Sequence, residues 1–160
     1  MQLVWFRQDL RLQDHTALWH ARQSGPTVAF IALSPQQWAL HDDAAIKIDC
    51  YLRQLHILRQ QLDTLNIPLI IQHIPLWSGI AHTLGEICME LKIKQVHAHV
   101  ELGVNELRRD AQVQQQLEQQ GISVQLYHDR TLFPVGSIRN QSNKPYQVFG
   151  AFKKSCYERL

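Results

Sequence analysis

Five short strand-like segments, separated by stretches of helical spacing, limit what this chain can fold into. They are Leu3 to Phe6, Thr27 to Leu33, Pro68 to His73, Gln95 to Val100 and Ile122 to Tyr127. Runs of that length and character read as strands covered on both faces. Between them lie amphipathic helical patterns. Ala44 to Leu65 places Ile48, Leu52, Leu55, Leu58, Leu62 and Leu65 at intervals of three and four, and Ser78 to Leu91 does the same with Ile80, Leu84, Ile87 and Leu91. In Val104 to Gln120 the spacing puts Val104, Leu107, Ala111 and Leu117 inward and glutamines outward. Asp14 is the expected N-cap of a helix carrying Ala17, Leu18 and Ala21, Asp42 or Asp43 that of the second pattern, and Ser78 that of the third. Gly121 stops the last helix. Ser34 to Asp43 reads as a loop. Parallel strands need helical crossovers, and right-handed crossovers wind both faces. The expected class is therefore α/β: a doubly wound, Rossmann-like five-stranded parallel sheet, order 3-2-1-4-5, with helices on both faces and a crevice at the carboxyl ends of strands 1 and 4.

Size and composition narrow the function classes. A chain of 160 residues, 45% apolar and 19% charged, suits a packed domain and not a disordered one. No apolar run approaches the roughly 18 residues that span a bilayer. Arg7, Asp9 and Arg11 interrupt the amino terminus before an apolar targeting segment forms, so no signal peptide is expected. Cys50, Cys88 and Cys156 are odd in number and far apart, the pattern of free thiols in a reducing cytoplasm. No Gly-x-Gly-x-x-Gly follows the first strand, which disfavours a free-standing nucleotide-binding module. From Arg130 to Leu160 six bases face a single acid, Glu158. The same tail carries Tyr146, Phe149, Phe152, Tyr157 and Leu160, more large apolar groups than so short a segment can bury. Either a partner surface or the sheet itself must cover them.

Loops at strand carboxyl ends bind ligands in open parallel sheets. The first such loop alternates Arg7, Asp9, Arg11 and Asp14, charges expected to hold one another and brace the crevice. The second carries Trp38, whose face can stack on a ring, and His41. The third carries Glu101, Asn105 and Glu106. A carboxylate beside a carboxamide suits an amino-lactam edge, because Glu106 accepts two ring N–H donors while Asn105 both donates and accepts. The same pair in a first helical turn is also an ordinary capping pattern. His97 and His99 alternate on the fourth strand. Without a convincing third ligand they read as satisfied core histidines, and no metal site is expected.

The run Trp5-Phe6-Arg7-Gln8-Asp9-Leu10-Arg11 resembles the amino terminus of the DNA photolyase/cryptochrome family, and most of all its bacterial folate-antenna members. Val104-Asn105-Glu106-Leu107-Arg108-Arg109-Asp110 is similar to the segment whose Asn-Glu pair holds the pterin in those enzymes. Pro35-Gln36-Gln37-Trp38, with His41 after it, is similar to a second folate-contacting segment, with Gln36 in place of an arginine. Pro145-Tyr146-Gln147-Val148-Phe149 through Lys153 is similar to the end of the antenna domain, with Gly150-Ala151 and Cys156 departing from the common pattern. The resemblance covers essentially the whole chain. It implies an antenna domain over residues 1–128 and the start of an interdomain connector over 129–160, with the FAD-binding domain absent. It further implies an antenna pigment, 5,10-methenyltetrahydrofolate or else a deazaflavin, held by Trp38, His41, Asn105 and Glu106. In the full-length enzyme FAD repairs cyclobutane pyrimidine dimers in damaged DNA, so these residues alone are expected to be inactive in repair. A cryptochrome, signalling with the same architecture, is the alternative the resemblance leaves open.

Overall fold

The computed structural model describes residues 1–160. The chain forms two compact units, Met1–Tyr127 and His128–Leu160. The first contains strands β1 (Gln2–Trp5), β2 (Thr27–Leu33), β3 (Leu69–His73), β4 (Gln95–His99) and β5 (Ser123–Tyr127). Its helices are α1 (Thr16–Ser24), α2 (Pro35–Leu40), α3 (Ala45–Thr64), α4 (Ile80–Glu90) and α5 (Val104–Gln119). All pairings are parallel, and the sheet runs β3-β2-β1-β4-β5, the order expected from the sequence.

Strand alternation divides the core into two layers. Leu3 and Trp5 of β1 join Val28 and Phe30 of β2 in a cluster completed by Ile80 and Leu84 of α4 and Leu117 of α5. Val4 and the following Phe6 point the other way, with Ala29 and Ile31, onto Ala17 and Leu18 of α1 and Leu55, Leu58 and Leu62 of α3. Each of the larger side chains among them contributes about 2 kcal/mol by leaving water. A central strand so covered on both faces fixes the backbone from which the next loop departs.

Several local expectations are corrected. The buried stripe of α3 passes through Leu55, Leu58 and Leu62 and is extended at its start by the half-buried Ile48 and Tyr51, whereas Leu52 and Leu65 are exposed. Tyr51 is an amphipathic residue on a buried face, so apolar spacing alone passes it over. In α5 the inward positions are Arg109, Asp110, Val113 and Leu117, while Val104 and Leu107 are 65% and 49% exposed and Ala111 faces solvent. Two buried charges occupy the face that apolar residues were expected to fill. Asp14 is not the cap of α1: it adopts a left-handed conformation (φ 50°), and the imidazole of His15 caps the helix instead. Neither Asp42, Asp43 nor Ser78 caps a helix. Asp42 is left-handed (φ 53°), Asp43 pairs with Lys47, and Ser78 lies inside a 3-10 turn, Trp77–Gly79, that precedes α4. The segment after β2 is not a plain loop, because Pro35 opens α2 from its first position. Gly121 does end α5, in the left-handed conformation (φ 74°).

The second unit has one helix, α6 (Phe149–Tyr157), preceded by irregular chain. Asn140 Oδ1 accepts the backbone N–H groups of Ser142 and Lys144, and Arg159 Nη1 donates to the Ser137 carbonyl. Leu132, Phe133, Ile138, Phe152 and Cys156 line an apolar pocket of about 450 Å³. Phe149 and Leu160 are more than 70% exposed. No helix of the chain is long and apolar enough to cross a membrane.

Candidate functional site

The loop after β1 leaves the carboxyl end of the sheet's central strand and supports two buried polar clusters. Its charges bond both within the loop and to other elements. Within the loop the Arg7 backbone N–H donates to Asp9 Oδ1 at 2.8 Å, the Arg11 backbone N–H to the Asp9 carbonyl at 2.7 Å, and Arg11 Nη2 to the Asp14 carbonyl at 2.9 Å. The side chains of Arg7 and Asp9 also turn to different partners.

Asp9 engages two histidines. His15 Nδ1 accepts the Leu18 N–H at 3.0 Å, so its proton sits on Nε2, 3.0 Å from Asp9 Oδ2 in a bent contact. His99 Nε2 lies 3.3 Å from the Ala17 N–H, and its Nδ1 is 2.7 Å from the same carboxylate oxygen. The two rings stack at 4.2 Å. Burial raises the Asp9 carboxyl, but the bonds from His15 and His99 outweigh it and hold the group well below the usual carboxylate range. Asp9, His15 and His99 bring three ligand atoms within 4.8 Å. A cation bound there would take the nitrogen lone pairs facing Asp9 and move both ring protons to the far nitrogens. Those protons would meet the Leu18 and Ala17 N–H groups, donor against donor. The arrangement is that of a helix cap. His97, 1% exposed, takes no part: it meets Tyr127 Oη at 2.8 Å and Gln2 Oε1 at 3.0 Å, and burial, with His20 nearby, lowers it to about 4.

The second cluster combines Arg7, Glu101, Arg109 and Asp110, all buried. Arg109 bonds Glu101 at 2.7 Å and Asp110 at 2.6 Å, and its guanidinium is sandwiched between Trp5 (4.9 Å) and Trp77 (4.6 Å). Arg7 lies over Trp5 at 4.4 Å and donates Nη2 to the His99 carbonyl. Its contacts with Glu101 and Asp110 are longer, 3.6 and 3.5 Å, and Arg7 Nε, Arg7 Nη1 and Trp5 Nε1 make no hydrogen bond. Burial lowers the Arg7 guanidinium despite Asp110 and Glu101; for Arg109 the same two acids outweigh burial and raise it.

Two cavities flank Trp38. The smaller, about 40 Å³, is lined by Trp5, Arg7, Trp77, Glu101, Glu106 and Arg109 among others, and has room for water but no organic ring. The larger, about 370 Å³, is walled by Asp9, Arg11, Trp38, Lys47, Tyr51 and Gln54 and has ligand dimensions. Gln54 Nε2 ties α3 to this loop through the Leu10 carbonyl at 2.8 Å. Trp38 therefore stands between both cavities, and Glu106 borders the small one. The Glu106 carboxylate folds over Gly103, where any Cβ would collide with it. His41 closes α2 and packs edge-on against Trp77 at 4.9 Å. Asn105 is exposed on the first turn of α5. Of the residues singled out in the sequence, Trp38, Glu106, Arg7, Asp9 and Arg11 meet at these cavities, His41 stands beside them, and Asn105 lines neither. Tyr51, Trp77 and Gln54 belong to the walls unannounced. For Tyr51 the signal was its place in the spacing Ile48, Tyr51, Leu55.

The carboxyl end of the sheet's central strand thus carries a ligand-sized cavity beside Trp38 and, next to it, a small one lined by Trp5, Trp77 and buried charges. Residues 2–160 match the family model described as DNA photolyase, and the chain belongs to that family, as its amino-terminal domain. A deoxyribodipyrimidine photo-lyase of Vibrio cholerae is 37% identical over 156 residues, covering 97% of this chain and 33% of the relative. The chain thus spans about a third of the length of the curated relatives it matches. Among solved structures, an archaeal photolyase from Sulfolobus tokodaii superposes with a TM-score of 0.74 at 18% identity, over 96% of this chain and 34% of that one. A Synechocystis cryptochrome superposes at 0.72 and 19% identity, over 98% and 33%. At such identities the two structures speak to the fold alone.

Proposed function

We propose that this chain is the antenna-pigment domain, residues 1–128, of a light-driven DNA repair enzyme that splits cyclobutane pyrimidine dimers, followed by the start of an interdomain connector over 129–160. The observation that carries the reading is the placement of Trp38 and Glu106 together at the carboxyl ends of the strands, beside space of ligand size. The pigment that fits is 5,10-methenyltetrahydrofolate, which supplies near-ultraviolet or blue absorption and hands excitation to a flavin. Trp38 offers it a stacking face, Glu106 accepts ring N–H donors, His41 contacts its substituents and Asn105 binds the exposed edge. The small cavity that Glu106 borders is too narrow for the pterin, so Trp38 or Glu106 turns aside for one ring to meet both. Arg7, Asp9 and Arg11 brace the loop beneath it. FAD and damaged DNA are then bound by chain outside these residues, and Phe149, Phe152, Tyr157 and Leu160 form part of the contact with that FAD domain. The three free cysteines suit a cytoplasmic setting.

The test is an absorbance titration with 5,10-methenyltetrahydrofolate. A red-shifted band is expected, weak because groups from the FAD domain are missing, and Trp38→Ala reduces it further. A response untouched by Trp38→Ala contradicts the stacking role. Light-dependent dimer splitting by these 160 residues alone would refute the division of labour.

A further inference from the structure

Beside the cleft a short hydrogen-bond relay ends on His41, one of the proposed pigment contacts. Gln37 of α2 reaches the 3-10 turn, where its Oε1 accepts the Trp77 backbone N–H at 3.2 Å. Its Nε2 lies 3.0 Å from His41 Nε2. A backbone N–H only donates, so it dictates which end of the amide faces Trp77. The other end is an NH2 group, which also only donates, and His41 Nε2 must therefore accept. A neutral imidazole that accepts at Nε2 carries its proton on Nδ1. The edge-on contact with Trp77, at 89°, holds the ring in register with the relay.

We propose that Gln37 is a positioning residue that locks His41 as an Nδ1–H donor and thereby sets the polarity of ligand the site accepts. This rests on the reading of His41 as a pigment contact. His41 then calls for an oxygen acceptor, a ring carbonyl or a carboxylate, while Glu106 calls for N–H donors. A ligand presenting donors to both residues is refused, because N–H would face N–H at His41. Protonating His41 also breaks the relay, since Nε2–H would confront the amide NH2. Turning the amide over to accept from His41 sacrifices the Trp77 bond.

The lock is visible without any ligand. In long-range proton–nitrogen NMR spectra of the 160-residue chain at pH 7.5, with His41 assigned from the cross-peaks lost in His41→Asn, the Nδ1–H tautomer is expected. Gln37→Met releases it toward the Nε2–H form. Gln37→Glu, whose carboxylate accepts from both neighbours, holds it in the Nε2–H form. An Nε2–H or charged His41 in the parent protein overturns the proposal, as does an Nδ1–H form that persists in Gln37→Met. Titration with 5,10-methenyltetrahydrofolate separates this from the pigment reading. Failure of the parent to bind at all contradicts the pigment contact, and with it the role of the lock in recognition, whatever the tautomer. Binding in the parent that weakens several-fold in Gln37→Met supports the lock, and equal binding overturns it.

Discussion

The two buried polar clusters behind the β1 loop are built on opposite terms. Around Asp9 a single carboxylate meets two neutral rings, and each ring spends its other nitrogen on a backbone N–H at the start of α1. Around Arg7 two guanidinium groups and two carboxylates balance in charge, yet three donors make no hydrogen bond and two ion pairs are long. The first cluster leaves only His15 Nε2, 3.0 Å from Asp9, without a well-aligned bond, and it holds the loop. The second borders a cleft and keeps hydrogen-bonding capacity in reserve there, together with the half-buried Glu106. Adjacent positions of one loop thus serve as scaffold and as site, and the difference lies in what the donors find.

That contrast can be broken by substitution. Arg109→Ala leaves Glu101 and Asp110 buried with weaker compensation and empties the space between Trp5 and Trp77, so it is expected to destabilise the domain most, by about 4 kcal/mol in urea unfolding. Asp9→Ala strands the His99 Nδ1 donor and the Arg7 N–H and removes the His15 contact, at about 3 kcal/mol. It also alters acid stability. The Asp9 carboxyl is lowered in the folded state, so its contribution is present above the unfolded carboxyl range and disappears as pH falls through the folded value; Asp9→Ala removes that portion of the acid transition. His97, lowered to about 4 from 6.5, gives a third signature. The unfolded chain takes up the proton first, so stability falls between pH 6.5 and 4 and this term levels off below, and His97→Asn flattens that slope in unfolding measured at several pH values. The smallest effect is expected of Leu107→Ser, within about 0.5 kcal/mol, because that leucine lies outside both clusters and the core.

The sheet was legible because β1 and β2 are nearly pure apolar runs, helical spacings separate all five strands, and parallel topology admits few arrangements. Helix faces were legible only where hydrophobicity and burial coincide. They coincide along Leu55, Leu58 and Leu62. They part at the start of α5, where Arg109 and Asp110 are buried by mutual pairing and Val104 and Leu107 are left in water. Capping failed for a related reason: the pattern favours aspartate at Asp14, while the cap is an imidazole whose partner, Asp9, sits outside the helix. Trp38 and Glu106 could be singled out from loop position and motif. Trp77 and Gln37 could not, because their roles arise from contacts between elements distant in sequence.

The central claim, that the acidic start of α5 grips a pigment beside Trp38, is tested most directly by absorbance titration of Glu106→Ala and the surface control Glu118→Ala with 5,10-methenyltetrahydrofolate. The account predicts at least about a tenfold loss of affinity for Glu106→Ala, the worth of one charge-assisted hydrogen bond, and none for Glu118→Ala. Parent-like binding by Glu106→Ala, with unaltered folding, would contradict it.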